Sequence, residues 1–110
     1  MSGTFTAYFI AGLVLFGVGV PLLRRWIPRN RLAGFRTSKT LSNDRVWYEA
    51  NRVAGRDLMI AGLVVMTTAV ASALLYKEAP GLPLEKINKV VLYGALLITA
   101  AHSFIALWRM

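Results

Sequence analysis

The chain has 110 residues, of which 56% are hydrophobic and only 16% charged, too apolar for a soluble domain of this size. It has no cysteine and one histidine, which excludes disulfides, thiolate catalysis, cysteine metal sites and a histidine-rich metal centre. The net charge of +8 would favour nucleic acid in a soluble protein, but here the basic residues flank apolar runs, where they orient a membrane protein. No nucleic-acid partner, metal or cofactor is therefore expected.

Residues 4–23 form the first apolar run, without a charge, and a helix of that length spans about 30 Å, the hydrocarbon core of a bilayer. The basic n-region of a signal peptide is missing, and Arg24 and Arg25 follow the run instead, so a retained span is expected. Gly12 and Gly17 suit close approach of a neighbouring helix, and Pro21 is placed to kink or end this one.

Residues 24–57 carry basic side chains at 24, 25, 29, 31, 36, 39, 45, 52 and 56, nine of the thirteen in the chain. Pro28 and Gly34 interrupt regular structure, and a helix is predicted from about residue 43, capped by Ser42 or Thr40, with Asp44 at its positive end. Trp47, Asn51, Ala54 and Leu58 share one face of it. The pattern reads as an amphipathic helix in the headgroup region, with Trp47 at its apolar edge, and since only Gly55 separates it from the next span the two can run on with a bend there.

Residues 58–76 form the second run, and residues 90–108 the third, joined by a turn around Pro80, Gly81 and Pro83. In the third, Ala95, Thr99, Ser103 and Ala106 make a stripe of small residues, a candidate homodimer interface. Trp26, Tyr76, Tyr93 and Trp108 lie near run ends, as in aromatic belts. The reading is one domain, residues 1–110: an all-α integral membrane protein with three transmembrane helices and an interfacial amphipathic helix between the first and second. Nine basic residues in the first connection against three in the second place residues 24–57 and the C-terminus in the cytoplasm and the N-terminus outside.

Three places carry candidate chemistry. His102 lies inside the third run, seven residues before Arg109, and is expected as a neutral ring hydrogen-bonded to another helix or as a functional group. Asp57 is expected to pair with Arg56, Arg52 or a loop arginine. Arg36, with Thr37, Thr40 and Ser42 and the pliable backbone of Gly34, is suited to holding a phosphate, a carboxylate or an anionic lipid headgroup. No acid–base couple and no nucleophile–base arrangement is legible, so no catalytic residue and no enzyme are expected.

The arrangement Asn30-x-x-x-Gly34-Phe35-Arg36-Thr37, then Thr40, then Trp47-x-x-x-Asn51-x-x-x-Gly55 resembles the signature of the SdpI family of bacterial membrane proteins. The order of elements, one span, a loop with its helix, then two spans, is similar as well. The resemblance implies that Asn30, Gly34, Arg36, Thr37, Trp47, Asn51 and Gly55 are family-motif residues. It also implies a bacterial inner-membrane protein conferring immunity to a secreted killing peptide, or holding a transcriptional repressor at the membrane. The best-known members carry an additional N-terminal block of spans, and this chain has the three-helix unit. A peptide or a membrane-protein partner, anionic headgroups at the basic loop, and a homodimer are the partners this reading expects. The alternatives are an accessory subunit of a larger membrane complex and a lipid- or small-ligand-binding protein with a pocket lined by Arg36, Trp47 and Asn51. Asn51 in particular needs a partner, since an unsatisfied amide costs on the order of 1–3 kcal/mol, and the backbone of the 30–37 loop is the expected one.

Overall fold

A computed structural model describes residues 3–30, 34, 36, 37 and 39–110. Among them every regular element is helical: α1 (Gly3–Leu23), a 3-10 turn (Thr40–Ser42), α2 (Asp44–Leu75) and α3 (Leu84–Trp108). All three α-helices are long and apolar enough to cross a membrane.

The helix between the first and second spans is not a separate element. α2 runs without interruption for 32 residues, about 48 Å, so the amphipathic segment is its first turns and Gly55 does not break it. The reason lies across the interface. A Cβ on Gly55 would sit 2.6 Å from both Gly19 O and Leu23 N, and one on Gly62 would sit 2.5 Å from Gly12 O. These glycines bring the backbones of α1 and α2 together. Gly12 and Gly19 are seven apart, as are Gly55 and Gly62, and the antiparallel pairs 12/62 and 19/55 follow one another along the seam. A seven-residue spacing is close to two helical turns, so both glycines of each helix fall on the face toward its partner. Gly17, by contrast, has nothing within 4 Å of its Cβ position and takes no part.

α1 continues two residues past Pro21 and ends at Leu23. Its end is closed by Arg24 N donating to Val20 O and Trp26 N to Pro21 O, both at 3.0 Å, with Arg25 left-handed at φ 60°. α2 is capped by Asn43, whose Oδ1 accepts from Val46 N at 2.9 Å, and not by Ser42 or Thr40. Those two hydroxyls are used within the preceding turn: Ser42 Oγ donates to Lys39 O at 2.5 Å, and Thr40 is tied to Thr37. Asn43→Ala should therefore cost about 1 kcal/mol, and Ser42→Ala clearly less, in reversible unfolding in detergent.

α3 begins at Leu84, six residues before the apolar run, so its first turns are polar. This places Asn88 inside the bundle at 2% exposure, where its Nδ2 donates to Ser72 Oγ at 2.8 Å and to Leu84 O at 2.7 Å. In lipid, where apolar surface gives no preference for helix over acyl chain, such a cross-helix bond helps join α3 to α2.

Candidate functional site

Two constellations emerge, one at the loop–helix junction and one between α2 and α3. The first is built around Trp47, which is fully buried within the protein. Its Nε1 donates to Ile27 O at 2.9 Å, joining α2 to the connection after α1. One turn on, Asn51 is 2% exposed and its Nδ2 donates to Trp47 O at 2.9 Å. Gly34 is pressed onto both: a Cβ there would lie 2.8 Å from Asn51 Oδ1 and 3.1 Å from Trp47 Cη2. Gly34 also holds φ 103°, a conformation that glycine takes without strain. Loop and helix thus meet at Asn51, as its need for a partner suggests, and Trp47 adds a hydrogen bond from α2 to the connection after α1.

The remaining motif residues serve the same junction. Thr37 N donates to Thr40 Oγ1 at 2.6 Å, Thr40 Oγ1 to Thr37 O at 3.0 Å and Thr40 N to Thr37 Oγ1 at 3.1 Å, a closed ring that leaves Thr40 fully buried. Asn30 Nδ2 donates to Pro28 O at 2.6 Å. Arg29 clamps the turn from outside, through Leu41 O at 3.2 Å and Asp44 at 3.4 Å. Lys39 Nζ donates to Leu107 O at 2.8 Å, which ties the turn to the last turn of α3. Gly55 belongs to the α1 seam. Arg36 is exposed and joins no hydrogen bond or ion pair among the described residues. The cavity beside Gly34, about 600 Å³, is bounded by apolar residues of α1 and α2 such as Val14, Leu22 and Leu58. Phe35, Arg31 and Ser38 lie outside the described residues.

The second constellation joins two residues that the sequence offers separately. His102 Nδ1 lies 2.5 Å from Asp57 Oδ2, a bond between α3 and α2 across 45 residues. Asp57 Oδ1 also lies 3.6 Å from Arg56 Nη2. The Asp57 side chain is 12% exposed and the His102 ring 48%. A carboxylate only accepts, so Nδ1 is the donor and Nε2 is left as the ring's unused hydrogen-bonding atom. Asp57 directly follows Arg56, and His102 lies seven residues, about two turns, before Arg109, so both fall near the basic ends of their apolar runs. That common depth is the sequence signal that links them.

From this pair an apolar cleft of about 390 Å³ runs between α2 and α3, lined by Ile60, Ala61 and Val64 on one side and by Val90, Ala95, Ile98 and Thr99 on the other. His102 and Val90 are twelve residues apart, so the cleft follows α3 for about 18 Å. Gly94 leaves it open, with nothing within 4 Å of its Cβ position. The small-residue stripe of α3 therefore faces the chain's own α2: Ala95 and Thr99 line the cleft and Ser103 is 6% exposed. A homodimer through that stripe would compete with the intramolecular contact. Among the described residues no three of His, Cys, Asp and Glu gather as metal ligands, and no serine or cysteine nucleophile lines the cleft beside His102.

The family model described as SdpI/YfhL protein family matches residues 26–107 of the chain. The match takes in both constellations and most of all that follows α1. No curated protein and no solved structure matches the chain.

Proposed function

Because the chain belongs to the SdpI/YfhL protein family, a multi-pass membrane protein with three spans, we propose that it is a non-enzymatic immunity-type protein of the bacterial inner membrane. It binds a toxic peptide, or a partner membrane protein that responds to one, along the cleft between α2 and α3. The observation that carries this reading is the Asp57–His102 pair at the end of an open apolar cleft. In lipid a peptide segment needs apolar cover for its side chains and a polar anchor for any unsatisfied backbone group. The cleft offers both, and the free Nε2 edge of His102 is the anchor. The basic connection lies on the cytoplasmic side, with the first turns of α2 at headgroup level and the N-terminus outside.

The test is a host sensitive to a secreted killing peptide, expressing the chain or the D57L/H102L variant. Replacing both members of the pair by apolar residues leaves neither polar group without its partner, so the variant should fold. Survival should fall at least about tenfold in the variant, matching the loss of one charge-assisted hydrogen bond. Crosslinking in native membranes, followed by mass spectrometry, should recover the peptide or its partner with the parent chain and not with the variant. Undiminished protection by D57L/H102L would sink the reading, as would a stoichiometric respiratory or transport complex as the only captured partner.

A further inference from the structure

At the basic end of the bundle, away from the cleft, lies a cluster of basic residues with an excess of positive charge. Arg25 follows α1, Arg45 stands in the first turn of α2, and Arg109 follows α3. Three elements thus bring three guanidinium groups to one cavity of about 360 Å³, with Val46 and Met110 also lining it. The one acid in its lining, Glu49, is held by Arg52, whose Nη2 donates at 2.6 Å and Nε at 3.4 Å. Among the described residues neither Arg45 nor Arg109 has an acidic partner. Glu49, outside the charge-free span 58–76, registers the local field. The hydrogen bond from Arg52 holds its carboxyl below the ordinary range, partial desolvation opposes this, and the charges of Arg52, Arg25 and Arg45 add to the lowering. Three like charges at one cavity repel, and an anion between them relieves that repulsion.

Arg25 adds an independent observation. The end of α1, with Trp26 N bonded to Pro21 O and the left-handed residue just before Trp26, is a terminus that glycine fits best. An arginine there is strained where glycine would not be. The strained position keeps a side chain, and that side chain lies over the Tyr48 ring, 5.6 Å from its centroid, which orders the guanidinium.

We propose that Arg25, Arg45 and Arg109 form a phosphate site that holds the headgroup of an anionic phospholipid. Guanidinium forks bind phosphate oxygens in pairs, which suits this group better than a diffuse positive surface would. The position favours the lipid as its source, because the cavity lies where three spans end and headgroups begin. A soluble phosphate has the same chemistry and is separated from the lipid by experiment. The site is independent of the peptide reading, since it shares no residue with the cleft.

The test is native mass spectrometry of the protein in detergent, titrated with phosphatidylglycerol or phosphatidylcholine. One phosphatidylglycerol should bind with about tenfold preference, the scale of charge-assisted hydrogen bonds. R25Q/R45Q/R109Q should abolish the preference, while K77Q/K86Q/K89Q, an equal charge change at the other end, should keep it. R25K/R45K/R109K, which keeps charge and loses the forks, should retain only part of it. The sharpest variant is R25G. It relaxes the helix end, so thermal stability should hold or rise, while the preference falls about threefold. No preference in the parent chain, an equal loss in both glutamine triples, or full preference in R25G would each overturn the site. Release of the bound lipid by millimolar inorganic phosphate would overturn the lipid as its occupant.

Discussion

Gly55→Ala and Gly62→Ala are each expected to destabilise the protein by about 3 kcal/mol, the upper part of the range for overpacking a well-packed interior. At both positions the added methyl group meets backbone atoms of α1, Gly19 O and Leu23 N for one and Gly12 O and Phe16 N for the other. Backbone cannot rotate aside, so the helices must move apart along the whole seam. In a bilayer there is no hydrophobic force to hold them, and the attraction is close packing itself, which falls off within an ångström. Gly17→Ala is the internal control. Its methyl group meets nothing, and removing a glycine from a helix interior should be neutral or stabilising by up to about 1 kcal/mol. Unfolding in mixed detergent measures all three. A Gly55→Ala protein as stable as Gly17→Ala would disprove the seam.

Trp47→Ala should cost about 4 kcal/mol, in the range for emptying a fully buried aromatic site, and should free the loop for proteolysis. Residues 24–43 hold six of the basic positions at which trypsin cleaves, so digestion of the folded protein in detergent reports the release directly. Trp47→Phe separates the two parts of the effect. It keeps most of the volume and loses the bond to Ile27 O, so its cost should be nearer about 1 kcal/mol. A tryptophan acting as a headgroup anchor would predict little change in either variant and no new cleavage.

These two expectations change the meaning of the motif that identifies the chain. Gly34, Thr37, Thr40, Trp47 and Asn51 fold the first connection onto α2, and Gly55 fits α2 against α1. Their spacing is specific because the packing between Gly34, Trp47 and Asn51 is tight. Arg36 is exposed and joins none of these contacts among the described residues. The two proposed binding sites lie elsewhere, in the Asp57–His102 cleft and the cluster of Arg25, Arg45 and Arg109, and those residues are scattered along the chain.

The sequence by itself determined the three spans, because a bilayer requires about twenty apolar residues per crossing and leaves no other way to satisfy the backbone. It also determined the family, through a motif whose spacings are visible in one dimension. It indicated that Asn51 and His102 need partners, since a polar group near hydrocarbon costs free energy when unpaired. Which partners they have was decided only in three dimensions. Asn43 caps α2 in place of its polar neighbours because its backbone is extended there, at φ −161° and ψ 161°. α2 runs straight through Gly55 because the glycine is needed for the approach of α1, a reason that cannot be read from α2 alone. His102 meets Asp57, and three arginines meet at one cavity, because antiparallel helices bring distant residues to the same depth. Local pattern sets the elements and their lengths, and the depth at which each side chain comes to lie decides which of them meet.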